Sequence, residues 1–323
     1  MPSINDSFIL VIKFIETINQ VWFLRYIHAN GASLFFIIIY MHIGRGLFFH
    51  SFLIEKTWII GVSILFLTIA AAFIGYVLPL NQISFWGASV ITNLATEIPY
   101  LGKHLIKFIW GSPSVDQPTV NRFFIFHFIL PFIILAFVIL HITILHTTGS
   151  SNPIGMSSKK IKIKFANNFS LNDLITVSLF ITLFIMLCIL KPLLLGDDEN
   201  FIIANPASTP KHIQPEWYFL LAYRILRSIP NKLGGVIALV IRIAILYITP
   251  FTQISKNKNI SYYPINKLIF WFFVLNAILL TWIGAQRIEQ PFILIGQTGA
   301  IFYFSYFIIH PIIIKYWDFI INK

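Results

Sequence analysis

The sequence predicts an all-α protein, a polytopic bundle of about seven helices that cross a membrane. Its residues are 57% hydrophobic and 11% charged, whereas a water-soluble domain carries about 25% charged residues. A bilayer-spanning helix needs about 20 apolar residues, and seven candidate runs occur. The runs cover residues 21–49, 57–78, 119–147, 170–193, 233–252, 265–284 and 292–318. Because the chain has too few polar residues to cover its own surface, we expect lipid to cover most of it.

Charged residues between these runs predict the orientation of the chain. Two loops carry lysines without acidic residues, at Lys159, Lys160, Lys162, Lys164, Lys256, Lys258 and Lys267. The positive-inside rule places these loops and the C-terminus on the negative, matrix-like side, and the N-terminus on the positive side. In residues 1–20, Asp6, Lys13 and Glu16 interrupt an apolar pattern, which predicts an amphipathic helix on the positive surface. Spread over several loops, the net charge of +11 forms no single patch for nucleic acid.

Four of the nine histidines form two pairs with the same spacing. His28 and His42 are 14 residues apart in the first run, as are His127 and His141 in the third. Fourteen residues turn a helix to within about 40° of four full turns and advance it about 21 Å, so each pair shares one helix face. Since the two runs cross in the same direction, His28 can face His127 and His42 can face His141. Two stacked haems with histidine ligands from facing helices require that arrangement.

Other roles for these histidines stay open. Each one alone also fits a polar helix contact or a channel-lining group, because intramembrane ionisable residues serve all of these roles. Two matched pairs on parallel helices favour haem ligation. The one cysteine, Cys188, cannot hold an iron–sulfur cluster or the C-x-x-C-H attachment of a covalent haem. We therefore expect histidine to hold any redox cofactor.

Three arginines and two glycines support haem binding. The arginines lie outward of the histidines, where cations would pair with haem propionates. Gly61 and Gly75, again 14 residues apart, lie in the second run. They would let porphyrin edges approach the backbone, although small residues also serve ordinary helix packing. The residues that we expect around the haems are Arg25, Arg45, Arg122, Trp58, Gly61 and Gly75.

Two long loops, 79–118 and 194–232, are rich in Pro, Gly, Trp and Tyr. Long loops in a compact protein are usually functional. The second loop is acidic and contains the sequence PEWY at residues 215–218. A carboxylate between aromatic rings, here Glu216, could accept a proton from a bound quinol in an apolar slot. The alternative is a solvated glutamate beside an interfacial aromatic belt.

Several segments resemble the cytochrome b family, the di-haem, quinone-handling membrane subunit of ubiquinol–cytochrome c oxidoreductase. They are RYIHANGA, MHIGRG, AAFIGYVLP, ISFWGASVITNL, RFFIFHFILPF, PEWYFLLAYRILRSIPNKLGGV and TWIGAQRIEQPF through IGQ. The resemblance runs from about residue 14 to the C-terminus. Equal spacing in both histidine pairs and a continuous chain through PEWY resemble the mitochondrial and bacterial form, because the plastid relative divides these parts between two chains.

This resemblance implies two b haems and two quinone pockets. His28 and His127 would ligate the low-potential haem near the positive side, and His42 and His141 the high-potential haem near the matrix. The quinol-oxidising pocket would be lined by Phe73, Tyr76, Gly87, Glu216, Tyr218 and Tyr223. The quinone-reducing pocket would be formed by His146, Ser150 and Asp173.

Function, partners and location follow from the same resemblance. Ubiquinol would give one electron to a Rieske iron–sulfur protein and the other, through the two haems, to quinone, in a proton-translocating Q cycle. A cytochrome c-type subunit and the other subunits of respiratory complex III would accompany the chain. The complex would be a homodimer in the mitochondrial inner membrane, with lipid around the spans and no nucleic acid bound.

The sequence departs from the family pattern in four places. The resemblance implies a transmembrane helix before residue 1 that the sequence does not include, so we expect a three-span di-haem unit over residues 21–149. A four-span region with the PEWY loop is expected over residues 150–323. We expect another helix, from an upstream stretch, a separate gene or a partner, to cover the open side of the haem bundle. The other departures are Leu80-Asn81 for Trp-Gly, Thr96-Glu97 for small or apolar residues, and Asn172 for a lysine.

Three other interpretations stay open at this point. A four-helix, quinone-linked anchor would also hold two haems, but it has no use for PEWY or for the last three spans. A non-redox transporter would contain no b haem. A degenerate copy that no longer assembles would explain the absent helix, although the chain retains all four histidines and all three arginines.

Overall fold

A computed structural model describes residues 3–156, 163–252 and 255–321. The described residues form eleven α-helices and short 3-10 turns, without a β-strand. The helices are α1 (Ser7–Thr17), α2 (Val21–Phe48), α3 (Glu55–Val77), α4 (Gln82–Asn93), α5 (Gly102–Trp110), α6 (Gln117–Thr148), α7 (Phe169–Leu190), α8 (Leu220–Ser228), α9 (Lys232–Thr252), α10 (Pro264–Gly284) and α11 (Phe292–Ile321). Of the predicted lysine-rich loop, Lys159, Lys160 and Lys162 lie outside the described residues.

Seven of the described helices are long and apolar enough to cross a membrane, which confirms the predicted all-α, seven-span class. They are α2, α3, α6, α7, α9, α10 and α11. Each end falls within about three residues of its predicted run, because apolar composition and length decide where a membrane helix can lie. Helix α1 lies in the predicted N-terminal segment.

Helix packing differs between the two halves of the chain. In the N-terminal half, α3 and α6 pack closely, whereas α2 has no comparable backbone packing against α6 among the described residues. In the C-terminal half, α8, α9, α10 and α11 form a second bundle. There the Asn276 side-chain amide donates to the Gly299 carbonyl at 2.9 Å, and Gly284 lies against the Leu220 carbonyl. Small and amide side chains thus join neighbouring helices directly.

The acidic loop folds back against the start of α4. The Gln82 backbone N–H donates to the Ile202 carbonyl, and its side-chain amide donates to the Ser208 carbonyl, both at 2.9 Å. The Asn205 backbone N–H donates in return to Gln82 Oε1 at 2.7 Å. Because α4 follows directly after α3, these bonds bring the acidic loop to the end of α3, where Tyr76 lies.

Candidate functional site

The structure brings the four predicted histidines together as two facing pairs. The ring centres of His28 and His127 are 6.1 Å apart, and those of His42 and His141 are 6.3 Å apart. A metal that takes one imidazole nitrogen from each side, at about 2 Å, places the ring centres about 6 Å apart. The spacing of both pairs therefore fits a haem iron held between two histidines.

Both histidines on α6 face α3, and one of them is hydrogen-bonded to it. His127 Nδ1 donates to the Ala71 carbonyl at 2.8 Å, which leaves Nε2 free to bind a metal. Fourteen residues earlier on α3, the Thr57 backbone faces Nδ1 of His141, although no hydrogen bond of standard geometry forms there. The 14-residue repeat of histidines on α6 is thus matched by a repeat of backbone groups on α3 that face their rings.

Gly75 and Gly61 on α3 make room for the same two rings. A Cβ on Gly75 would overlap the His127 ring, and a Cβ on Gly61 would lie 3.1 Å from Cε1 of His141. The sequence suggested that these glycines admit porphyrin edges, whereas the contacts in the structure are with histidine rings. Their 14-residue spacing follows because a glycine is required opposite each histidine.

Two of the three predicted arginines lie next to the histidine pairs. Arg45 Nη2 is 3.1 Å from Nδ1 of His42. Arg25 lies over the Phe201 ring, 5.9 Å from its centre, and lines the same cavity as His28. A metal bound at Nε2 of His42 leaves a proton on Nδ1, so the Arg45 guanidinium would then turn away from the ring. Each pair therefore has one positive charge beside it.

A cavity of about 390 Å³ joins the His28–His127 pair to the PEWY loop. The residues that line it include Arg25, Gly75, Tyr76, Asp197, Asn200, Glu216 and Tyr218. One wall is aromatic, because Tyr218 is stacked on Phe36 with ring centres 4.3 Å apart and planes within 6°. A carboxylate and a candidate pair of haem ligands thus share one pocket.

Electrostatics in this cavity suit proton transfer by Glu216. Partial burial raises the pKa of Glu216 to about 7; a hydrogen bond with Tyr76 opposes the shift, and the charge of Asp197 adds to it. The Tyr76 hydroxyl donates to Asn200 Oδ1 at 2.7 Å, and the same hydroxyl is the group that stabilises the ionised Glu216 carboxylate. Burial, and then the charge of Glu216, raises the pKa of Tyr218, which stays protonated at neutral pH. A carboxylate with a pKa near the working pH is an efficient general base.

Comparisons with known proteins agree with this geometry. Residues 1–149 match the family described as Cytochrome b/b6/petB, and residues 203–304 match Cytochrome b(C-terminal)/b6/petD. The structure is similar to a solved chain of a "Hyperthermophilic respiratory Complex III", with a TM-score of 0.90 and 30% sequence identity, covering 97% of this chain and 84% of that chain. This chain belongs to the cytochrome b family. Membership of the cytochrome b family, which the resemblance implied from the sequence, is therefore confirmed.

Three residues predicted for the quinol pocket of this cytochrome b do not line the 390 Å³ cavity. Phe73 packs on Phe123, with ring centres 6.3 Å apart. The Tyr223 hydroxyl donates to the Ile213 carbonyl at 3.3 Å. Gly87 on α4 faces open space, since a Cβ there would meet no described atom within 4 Å. The other three predicted residues line the cavity.

Arg122 and Trp58, both predicted beside the haems of a cytochrome b, have contacts elsewhere in the fold. Arg122 donates to the Phe108 and Ile109 carbonyls near the end of α5. The Trp58 indole N–H donates to the Leu246 carbonyl at 2.7 Å and joins α3 to α9. Their contact with a haem stays a prediction.

The residues predicted for the quinone-reducing pocket lie at neighbouring helix ends. His146 is in the last turn of α6, Ser150 follows that helix, and Asp173 is near the start of α7. All three side chains are exposed. Because α7 is the next span along the chain, we expect the three residues on one side of the membrane. Their role in a pocket stays a prediction.

Sequence reasoning did not single out some groups that the structure brings to the site. Asp197 and Asn200 enter the cavity from the acidic loop and act on Glu216 and Tyr76. The bond from Tyr76 joins residues 124 positions apart, and no local pattern signals such a contact. The Ala71 carbonyl, which orients His127, could have been predicted. Ala71 lies one turn before Gly75 and therefore faces the same side of α3.

Proposed function

We propose that this cytochrome b transfers electrons from ubiquinol to quinone, as the membrane subunit of a proton-translocating respiratory ubiquinol–cytochrome c oxidoreductase. The observation that carries the proposal is the cavity shared by the His28–His127 pair and Glu216. A quinol bound there would meet a proton acceptor and a redox centre in one pocket. Quinol oxidation requires both, because each electron that leaves is accompanied by a proton.

Two b haems would be held by the histidine pairs, His28 with His127 and His42 with His141. When bound, the haems supply one-electron redox chemistry. The arginine beside each pair would offset the charge of the propionates in a medium of low dielectric constant. Along α6 the two ligands are separated by about 21 Å, so the two sites together cross most of the hydrocarbon thickness.

Glu216 would accept one proton as the quinol is oxidised. Since its pKa is about 7, its ionised form is available at and above neutral pH. Tyr76, which Asn200 holds in place through a hydrogen bond, would stabilise and orient the ionised carboxylate before it accepts the proton. The stack of Tyr218 on Phe36 would keep water from the ring of the substrate. One electron would pass to an iron–sulfur partner, and the other would cross the membrane through the chain. The protons would be released on the positive side.

Quinone would be reduced at the opposite end of the haem pair. His146, Ser150 and Asp173 would form that pocket, and the histidine and the carboxylate would relay protons to the reduced quinone. The adjoining loop carries Lys164 and other basic residues, which the positive-inside rule places on the matrix side. Proton release on one side and uptake on the other make the cycle proton-translocating.

A Rieske iron–sulfur protein, a cytochrome c-type subunit and the other subunits of complex III would accompany the chain, in a homodimer of the complex. Support comes from the solved relative, which is described as a respiratory complex III. The resemblance to the mitochondrial and bacterial form is compatible with the mitochondrial inner membrane, which we propose as the location. The basic loops support a C-terminus on the matrix side.

Redox-titrated optical spectra of the purified complex test this function. We expect two b-type reduction steps and fast haem reduction when quinol is added. Glu216→Gln should keep both steps and slow the reduction by quinol. A preparation without b haem would contradict the proposal and favour a non-redox transporter.

A further inference from the structure

Arg242 is a buried cation at the midpoint of α9. The residue is 7% exposed, and its guanidinium lies close to the hydroxyl groups of Tyr40 on α2 and Tyr303 on α11. Its Nε is buried without a hydrogen-bond partner among the described residues. The one ion pair in the described part of the chain joins Lys232 to Glu97, so no described carboxylate neutralises Arg242.

Arg242 lines a cavity of about 1090 Å³ between α2 and the C-terminal bundle. Its walls are mainly apolar and aromatic, and they include Phe48, Trp271, Phe273, Trp282 and Tyr303. None of the described residues that line it is acidic. Its volume is at the upper end of the range for small-molecule sites, about 300–1,000 Å³. A charged donor thus faces a large apolar space.

The chemistry of this cavity narrows the class of ligand. A guanidinium is always charged, and in the middle of a span it needs an oxygen acceptor. The apolar walls favour a hydrocarbon body, so the fitting ligand is an amphiphile with an acceptor oxygen on its head. A phospholipid phosphate is fixed at the bilayer surface, about 15 Å from the midplane. A quinone ring is uncharged, enters the hydrocarbon region and stacks on aromatic side chains.

We propose that this cavity binds an isoprenoid quinone whose ring carbonyl accepts a hydrogen bond from Arg242. The inference rests on the proposed function, because the ligand is of the same substrate class, but the site is a third one. Tyr218 lines both this cavity and the Glu216 cavity, so the two share a wall. The Tyr40 hydroxyl also donates to the Tyr218 carbonyl at 2.6 Å. A quinone on Arg242 would compete with Tyr40 and so act on the PEWY loop.

Photolabelling of the intact purified complex tests the site. The probe is a benzoquinone with an azido group and a ten-carbon tail, and the labelled peptides are mapped along the chain. We expect label in peptides from α9 and α10. Arg242→Leu should lower that label about tenfold or more, because a hydrogen bond to a charged group contributes at least that factor to affinity.

Two further variants separate ligand binding from folding. Ala277→Phe on α10 fills the cavity while Arg242 is kept, and it should also remove the label. Leu275→Phe places the same ring on the exposed face of α10, outside the cavity, and should leave the label unchanged. A general disturbance of α10 would affect both variants equally, whereas occupancy of the cavity distinguishes them.

Absence of label from α9 and α10 in the wild-type complex would overturn the proposal, as would full label in both Arg242→Leu and Ala277→Phe. Displacement of the label by palmitate but not by unlabelled quinone would also overturn it, and would assign the cavity to a carboxylate lipid. Haem spectra and quinol oxidation of the same samples test the proposed function separately. Their failure in a wild-type complex that is still labelled would remove that function and leave this site.

Discussion

The first three spans and the C-terminal bundle of this cytochrome b fill their interiors differently. In the N-terminal part, α2 and α6 meet through histidine rings whose centres are 6.1 and 6.3 Å apart. In the C-terminal part, helices pack directly on one another, and 33% of the most apolar stretch of α11 is buried, against 6% of that of α6. The first part thus leaves space that fits a planar group, whereas the second maintains its own shape.

Glycine illustrates the difference. On α3, Gly61 and Gly75 each face a histidine ring of the neighbouring helix. In the C-terminal bundle, Gly284 faces the Leu220 carbonyl, and Gly296 faces the buried guanidinium of Arg224. The same residue type therefore positions a ligand in one region and allows close helix contact in the other. Composition alone does not distinguish these uses.

Replacing one buried or half-buried histidine in each region gives the largest expected contrast. His141→Leu should remove one of two b-type reduction steps completely, because leucine has no nitrogen to bind iron. His310→Leu, in the C-terminal bundle, should leave both steps in place, since His310 packs on Tyr306 and His50 away from the facing pairs. Redox-titrated optical spectra measure both results. Two unchanged steps in His141→Leu would contradict the assignment of the pairs.

Glu216→Gln tests the place where the two regions meet, since Glu216 lies in the loop between α7 and α8 but acts beside Tyr76 on α3. We expect quinol oxidation to slow by about 10²–10⁴, the usual contribution of a general base. Glutamine keeps the size of the side chain but does not accept the proton. Both haem reduction steps should be unchanged.

The matched control for this substitution is Glu199→Gln, in the same acidic loop. Glu199 does not line the 390 Å³ cavity, so quinol oxidation should proceed at the wild-type rate. Stopped-flow measurement of haem reduction by quinol compares the two variants. Equal rates in both would return Glu216 to the role of a solvated loop residue.

Two glycine-to-alanine substitutions test the different uses of glycine in the two regions. In Gly75→Ala, the new methyl group would overlap the His127 ring, so we expect loss or weakening of one haem with little change in melting temperature. In Gly284→Ala, the methyl group would meet the Leu220 carbonyl, so we expect destabilisation of about 1–3 kcal/mol with both haem spectra intact. Thermal unfolding and optical spectra of each variant check the contrast. Identical behaviour of the two would show that the regions do not differ in this way.

The sequence was sufficient to predict the seven spans, because a membrane helix is specified locally by length and apolar composition. The facing of the histidine pairs was also predictable, since it depends on helix geometry and on the direction in which each span crosses. Family membership followed from motifs such as PEWY.

The surroundings of Glu216 were not predictable in the same way. Asn200 reaches Tyr76, and Asp197 reaches Glu216, only because the acidic loop folds back onto Gln82 at the start of α4. These contacts depend on tertiary folding of a loop without a periodic pattern. The proximity of Arg242 to Tyr40 and Tyr303, on two other helices, was not predictable either, because it also depends on tertiary folding.

Asp197→Asn should produce the smallest effect, and it concerns the pH dependence of quinol oxidation. The negative charge of Asp197 raises the pKa of Glu216, so its removal should lower that pKa from about 7. Because ionised Glu216 accepts the proton, quinol oxidation slows as the pH drops through the pKa of Glu216. In the variant this loss of activity should occur at lower pH, displaced by less than about one pH unit. Asp198→Asn, in the same cavity but without an effect on the Glu216 pKa, should not move it. The pH profile of kcat/KM measures the shift, and a fall displaced to higher pH in Asp197→Asn would contradict the electrostatic coupling.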